Sequence, residues 1–203
     1  MKNDSTKTDE ARSIFKQRGG ILRMSEALES GVSRRVLYSM LEQGLIERLH
    51  RGLYRQTDLP SLGNPDLVAV SRKAPNAVIC LISALAFHEI TTHIPHEVQI
   101  AILRHSREPR ISYPPTRAFY YGEKAIHAGV ESQLIDGSAV RIFSPAKTVA
   151  DCFKYRNKIG LDVAVEALRM FHESRRLNPN ELMNFAAICR VEKIIRPYLE
   201  ALL

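Results

Sequence analysis

Apolar residues recur three and four positions apart in three stretches near the start of the chain, which predicts three helices. The stretches are residues 8–17, 24–29 and 34–43. An extended link at residues 21–23 separates the first two, and Ser33 is a good N-cap for the third because its hydroxyl can accept a helix amide. The inward stripe of the third helix consists of Val36, Leu37, Met40 and Leu41.

Two short apolar segments follow the third helix and predict a β-hairpin. Residues 45–49 and 53–55 form its strands, and the turn His50-Arg51-Gly52 contains a glycine, which adopts a positive φ at low cost. The predicted elements follow the order of a winged helix-turn-helix: two helices, a turn, a third helix and a hairpin. In such a unit the third helix enters the major groove of DNA and the hairpin, or wing, lies along the backbone.

Chain-breaking residues then interrupt the pattern, and the rest of the chain mixes strand and helix signals. We predict a winged helix-turn-helix domain at residues 8–56, a linker at 57–65 and a mixed sheet-and-helix domain at 66–203, an α+β fold. The apolar run 77–82 suits either a buried strand or the start of a helix. Strands are expected at residues 98–103, 117–121, 130–135 and 139–143, and helices at 83–89, from 144, around 163–171, from 178 and at 191–202 with a bend at Pro197.

The net charge indicates the class of binding partner, and the cysteines indicate the state of the thiols. The net charge is +7 and the pI near 9.5 over 203 residues, which favours a polyanionic partner such as nucleic acid. Cys80, Cys152 and Cys189 lie far apart in apolar surroundings and are expected to be buried free thiols. The sequence shows neither an apolar run long enough to span a bilayer nor a secretory signal, so we expect a cytoplasmic protein with no membrane partner.

The third helix and the wing carry the candidate DNA-binding residues. They lie off the apolar stripe of the helix or on the hairpin, and they are Ser33, Arg34, Arg35, Tyr38, Ser39, Arg48, His50, Arg51 and Arg55. Arg34 and Arg35 are suited to guanine edges or phosphates, and the wing arginines to phosphates. Tyr54 is expected to pack against the wing. The alternative interpretation is a solvated amphipathic helix followed by a surface hairpin.

A second basic stretch lies between two predicted strands and is interleaved with aromatic residues. Its arginines are Arg104, Arg107, Arg110 and Arg117. They are candidates for secondary contacts with DNA, with RNA or with an acidic protein partner. The alternative is a solvated loop.

Signals of catalysis are weak. His88 and His93 resemble a zinc-binding motif with one residue too many between them, so on one helix they would point about 140° apart. Glycine-rich phosphate-binding loops and nucleophile-elbow motifs are absent from the sequence. We therefore expect no catalytic residue, no metal site and no cofactor.

Three segments of the chain resemble the AbiEi family, the antitoxin and transcriptional repressor component of AbiE-type (type IV) toxin–antitoxin systems. The segments are GGILRMSEALESGVSRRVLYSMLEQGLIERLHRGLYR, AVICLISALAFHEITTHIPHEVQIAI and SPAKTVADCFKYRNKIGLDVAVEALR. The third is the most distinctive, because many regulators share a winged helix.

The resemblance implies a DNA-binding repressor with no catalysis of its own, whose partners are double-stranded operator DNA and a nucleotidyltransferase-like toxin. It implies that residues 66–203 form the antitoxin domain, and it assigns DNA binding to Arg34, Arg35 and Tyr38 in the third helix and to Arg48, Arg51 and Arg55 in the wing. Two copies are expected to bind DNA cooperatively. The alternatives are a nucleic-acid-acting enzyme targeted by its winged helix, and a stand-alone regulator whose second domain senses a ligand or a protein.

Overall fold

A computed structural model describes residues 2–58, 64–135 and 137–202. These residues divide into two compact units. The first comprises the chain up to Arg72 together with Leu134–Ala139, and the second comprises Lys73–Gln133 and Val140 onward. The mixed α+β class predicted from the sequence is confirmed. The boundary predicted at residues 57–65 stays a prediction, and residues 59–63 lie outside the described part of the chain.

The first unit begins with the elements of a winged helix. They are α1 (Lys2–Gln17), β1 (Ile21–Arg23), α2 (Met24–Glu29), α3 (Arg34–Glu42), β2 (Ile46–His50) and β3 (Leu53–Gln56). The three predicted helices and the hairpin are confirmed, although α1 starts six residues earlier than the predicted start at residue 8. The predicted link at 21–23 is a strand, because β1 pairs antiparallel with β3 and completes a sheet of order β1-β3-β2.

One apolar cluster holds the first unit together. Phe15 of α1, Leu37 and Met40 of α3, and Tyr54 of β3 are all completely buried. Burial of side chains of this size contributes roughly 1.5–3 kcal/mol each. The stripe predicted from helical spacing therefore faces this core, and the expected packing of Tyr54 against the wing is confirmed.

Helix α4 (Pro65–Lys73) adds an element to this unit that the sequence patterns did not predict. Its residues Leu67 to Val70 are buried. Near its end, Arg72 donates to the carbonyl of Ile21 in β1 over 2.8 Å and to the Ser138 hydroxyl over 3.3 Å, and it pairs with Glu26 of α2 at 3.7 Å. These contacts explain why the helix groups with the winged helix.

The second unit contains a sheet flanked by helices, although the ends of its last two strands, within Leu134–Ala139, group with the first unit. Its elements are β4 (Val78–Ile79), α5 (Leu81–Phe87), β5 (Val98–Leu103), β6 (Thr116–Tyr121), α6 (Glu123–His127), β7 (Val130–Ile135), β8 (Ser138–Phe143), α7 (Pro145–Lys154), α8 (Arg156–Ile159), α9 (Leu161–Glu173), α10 (Pro179–Cys189) and α11 (Glu192–Glu200). The strand order is β6-β5-β4-β8-β7. β4 runs antiparallel to β5 and parallel to β8, and β5 runs parallel to β6.

Most strands and helices predicted for this unit are confirmed. The ambiguous run 77–82 contains both alternatives, since β4 ends at Ile79 and α5 begins at Leu81. The short helices α6 and α8 were not predicted. Of the turn predicted between β7 and β8, Asp136 lies outside the described residues, and Gly137 has a positive φ of 71°.

A buried polar network lies in the apolar core of the second unit. Lys147 and Asp151, one turn apart on α7, are completely buried and form an ion pair. The ammonium group of Lys147 lies 4.0 Å from the Phe143 ring centroid and 5.0 Å from that of Tyr121, and the Cys189 thiol donates to Asp151 over 3.1 Å. All three cysteines are buried and free, as predicted.

Candidate nucleic-acid interface

Helix α3 begins at a side-chain cap. The hydroxyl of Ser33 accepts a hydrogen bond from the Val36 amide over 3.3 Å, and Ser33 itself is extended. A cap of this kind contributes typically about 1 kcal/mol to helix stability. It fixes the first turn, so the residues directly after Ser33 have a defined direction.

Arg34, Arg35 and Tyr38 occupy the solvent face of α3. Both arginines are exposed and 44% of Tyr38 is exposed, while Val36 and Leu37 are buried. The face therefore presents two guanidinium groups and a phenol at the helix start. Guanidinium groups can donate two parallel hydrogen bonds to a phosphate or to a guanine edge.

Ser39 contributes less to this face than the sequence suggests. Its side chain is half-buried, and its hydroxyl accepts a hydrogen bond from Nε2 of the Gln43 side chain over 2.9 Å. Arg35, Tyr38, Ser39 and Glu42 of α3 line a surface hollow together with Thr8 of α1.

In the wing, Arg48 is held over a buried aromatic ring. Its guanidinium group donates to the Tyr54 hydroxyl over 3.3 Å and lies 5.7 Å from the ring centroid. The pKa of Arg48 is raised by this hydrogen bond, then by the charge interaction with Tyr54, with a smaller contribution from Tyr38 of α3. Arg48 is exposed, so the contact positions a permanently charged group at the surface.

Arg55 does not lie where the sequence analysis expected it. Its side chain is only 6% exposed and pairs with Glu47 across the hairpin, with 2.7 Å between Nη1 and Oε1. A buried guanidinium group that is paired in this way stabilises the wing, so we leave Arg55 out of the proposed contacts. Arg51 is exposed next to Gly52, and the side chain of His50 lies outside the described part.

Glu47 is the residue that the sequence analysis missed in the wing. It lies directly opposite Arg55 in the register of β2 and β3. The predicted strands, placed symmetrically about Arg51, already put position 47 opposite position 55. Pairing the charges across the predicted hairpin would therefore have revealed the contact.

The second basic stretch belongs to the other unit. Arg104, Arg107 and Arg110 are exposed in the connection between β5 and β6, and Arg117 is exposed on β6. Arg117 pairs with Glu97 at 3.6 Å and lies 5.1 Å from the Phe119 ring centroid. The exposure of this stretch is therefore compatible with a partner contact and with a solvated loop.

The two histidines of the zinc-like motif have separate structural contacts. His88, buried at the end of α5, lies 2.7 Å from the Phe143 carbonyl, and His93 lies 3.0 Å from Glu166 of α9. Burial is the main reason why the pKa of His88 is lowered. In the described part of the chain, no group of three or more histidine, cysteine or acidic residues is placed to hold a metal ion.

The exposed cations of α3 and the wing lie within a segment that matches a known family. Residues 9–56 match the family model described as "Transcriptional regulator, AbiEi antitoxin". The resemblance seen in the sequence is confirmed for this segment. The AbiEi description is that of a regulatory antitoxin family and not of an enzyme family.

A separate structural comparison concerns the fold of nearly the whole chain. The fold is similar to that in the crystal structure of the RV2827C protein from Mycobacterium tuberculosis, with a TM-score of 0.52 and 11% sequence identity. The similarity covers 95% of this chain and 78% of the other. At this identity it concerns the fold alone. A search of curated proteins gave no match.

None of the helices among the described residues combines the length and the apolar character needed to cross a bilayer.

Proposed function

We propose that this protein is a sequence-specific DNA-binding repressor and the antitoxin of an AbiE-type toxin–antitoxin system. The observation that carries the proposal is the match of residues 9–56 to a family of transcriptional regulators and antitoxins. The same residues contain the winged helix, its capped third helix and the exposed arginines.

In the proposed complex, α3 lies in the major groove. Arg34 and Arg35 contact base edges or phosphates, and Tyr38 lies beside them on the exposed face. The wing contributes Arg48 and Arg51, which bind backbone phosphates. Held by Tyr54, Arg48 loses less side-chain freedom on binding than an unrestrained arginine would.

The second unit is proposed to neutralise a nucleotidyltransferase-like toxin. This part rests on the antitoxin role in the family description and on the resemblance of residues 77–102 and 144–169 to AbiEi sequences. Its exposed arginines, Arg104 to Arg117, are proposed as secondary contacts with DNA or with the toxin. We further propose that two copies of the protein bind cooperatively to adjacent half-sites on the DNA.

The decisive experiment is a binding titration over a salt series. The DNA is the sequence upstream of the protein's own gene, and a scrambled duplex of equal length and composition is the control. A repressor binds the natural duplex more tightly at every salt concentration, and the logarithm of its affinity falls linearly with the logarithm of salt concentration. Equal affinity for both duplexes would overturn sequence-specific binding.

Activity assays separate the proposal from its alternatives. Rescue of cells arrested by a neighbouring nucleotidyltransferase-like toxin supports the antitoxin role. Divalent-metal-dependent cleavage or modification of nucleic acid would favour the enzyme. Operator binding without rescue of any neighbouring toxin would favour a stand-alone regulator.

A further inference from the structure

The second unit contains an open cavity to which the proposed function assigns no ligand, although it uses one lining residue, Arg107, as a secondary contact. Its volume is about 550 Å³, within the range of about 300–1,000 Å³ typical of small-molecule sites. The lining comes from the last residue of α4 and the segment after it, the end of β5, the loop that follows β5, the end of α6, and β8.

The floor of this cavity is apolar. Ile102 and Ile126 are buried, and Leu103, at the end of β5, is 37% exposed. Pro75 and Pro109 add further apolar surface to the lining. A flat ring system can pack against such a surface, because the carbon atoms of the floor then lose their contact with water.

The charged side chains in the described lining are cationic. Lys73, Arg107 and Arg141 line the cavity together with His127, and none of the described lining residues is acidic. The guanidinium group of Arg141 is oriented by a hydrogen bond of 3.0 Å to the Asn76 carbonyl. His127 lies 3.2 Å from the carboxylate of Glu123, which is not among the described lining residues. Several positive charges without a carboxylate in the described lining favour a ligand that carries more than one negative charge.

Arg107 has a further property expected of a ligand-binding group. It is exposed, and the described residues include no hydrogen-bond or ion-pair partner for its side chain. Arg110, three residues further along the same loop, is also exposed but does not line the cavity. The two arginines therefore form a natural pair for an experiment.

We propose that this cavity binds a small molecule with an apolar ring and a phosphate group, the chemistry of a nucleotide. The ring lies on Ile102, Leu103 and Ile126, and the phosphates lie among Lys73, Arg107 and Arg141. The winged helix contributes no residue to the described lining of this site, because the described lining residues all belong to the second unit.

A fluorescence titration of the full-length protein with mant-ATP, a fluorescent ATP derivative, tests the proposal. Binding is expected to saturate, and ATP is expected to displace the probe at lower concentration than adenosine or pyrophosphate does. Displacement by pyrophosphate as effective as that by ATP would show that the apolar floor is not used, and would overturn the assignment.

Charge reversal at the two loop arginines provides the matched control. Arg107→Glu is expected to weaken binding of mant-ATP by at least about tenfold, since a charge-assisted contact with phosphate becomes a repulsion. Arg110→Glu changes the net charge equally but leaves the lining intact, so a much smaller effect is expected. Equal losses in the two variants, or no saturable binding by the folded wild-type protein, would overturn the proposal.

Discussion

The guanidinium group of Arg72 donates a hydrogen bond to the backbone carbonyl of Ile21 over 2.8 Å, joining the end of α4 to the first strand of the winged-helix sheet. Residues 51 positions apart are thereby connected, and Glu26 adds an ion pair at 3.7 Å. Among the described residues, the strand that receives this bond pairs with β3 alone in its sheet. The stability of β1 therefore depends on a helix outside the winged-helix elements.

Arg72→Ala is expected to destabilise the first unit by about 1–3 kcal/mol, because the buried carbonyl of Ile21 and the side chain of Glu26 lose a charged partner. Hydrogen exchange of the β1 and β3 amides measures the effect locally. Arg141→Ala is the control, since Arg141 also donates to a backbone carbonyl but belongs to the second unit. Unchanged exchange in the β1–β3 ladder of Arg72→Ala would contradict this role for α4.

Arg51 and Arg55 are expected to respond differently to the same substitution. Arg51→Ala should weaken binding to all DNA sequences alike and reduce the magnitude of the salt slope by about one, as loss of a phosphate contact does. Arg55→Ala should instead lower the free energy of unfolding by about 1–3 kcal/mol, since a buried charged hydrogen bond is lost. Urea melts and binding titrations on both variants distinguish the two roles. A reduced salt slope with unchanged stability in Arg55→Ala would restore Arg55 to the DNA contacts.

Arg35→Ala is expected to reduce operator affinity by about 1–3 kcal/mol if the side chain contacts a base. Lys16→Ala is the matched control, because Lys16 is an exposed cation on α1. The loss should be larger on the natural duplex than on the scrambled one. A loss of equal size on both duplexes would make Arg35 a phosphate contact and leave base recognition to other residues.

The winged helix was largely predictable because its signals are local. Val36, Leu37 and Met40 lie within one helix, and Gly52 marks a short turn, so the pattern of a few neighbouring residues defines each element. The burial of Arg55 depends on cross-strand pairing with Glu47, which becomes visible only once a register is assumed. Strand β1 has three residues and depends on its pairing with β3, so no periodic pattern marks it.

The second unit was less predictable because its contacts are distant in the chain. The parallel pairing of β5 with β6 and of β4 with β8 leaves no local signature. The cavity is lined by segments that run from Lys73 to Arg141. Its cations were visible in the sequence, but nothing there indicated that Arg107 would line it and Arg110 would not.

The buried pair Lys147–Asp151 is expected to be sensitive to removal of either charge. Asp151→Asn should lower the free energy of unfolding by about 3–5 kcal/mol, because it leaves the buried ammonium group without a counter-charge. The double variant Lys147→Met/Asp151→Leu should recover most of this loss, since two apolar side chains replace both charges in an apolar core. Urea unfolding monitored by circular dichroism measures both variants. A double variant at least as unstable as Asp151→Asn would indicate that the pair makes further essential contacts.

Stability is expected to decrease below about pH 6.5 through His88. Burial lowers the pKa of His88, so its neutral ring donates from Nε2 to the Phe143 carbonyl in the folded protein. As the pH falls through the unfolded value of about 6.5, the unfolded chain binds a proton that the folded chain does not, and folding becomes less favourable until the pH reaches the folded pKa.

His88→Gln removes the titrating group but keeps a side-chain donor. Its stability is expected to fall less than that of the wild type between about pH 7.5 and 5.5 in urea melts. His127→Gln is the control, because its ring is exposed. If wild type and His88→Gln show the same dependence on pH, another group is responsible.

The position of β4 in its sheet also has a consequence for synthesis of the protein on the ribosome. Its neighbour β5 follows within 20 residues, but its other neighbour β8 pairs Ile142 with Ile79 and is made 63 residues later. At a translation rate of roughly 5–20 residues per second, β8 is synthesised about 3–13 s after β4, so the edge of β4 that pairs with β8 remains unpaired for that time. Throughout that interval the nascent chain offers unpaired amide and carbonyl groups beside apolar side chains. We therefore expect a chaperone that binds extended apolar segments to bind the nascent chain before residue 142 has left the exit tunnel.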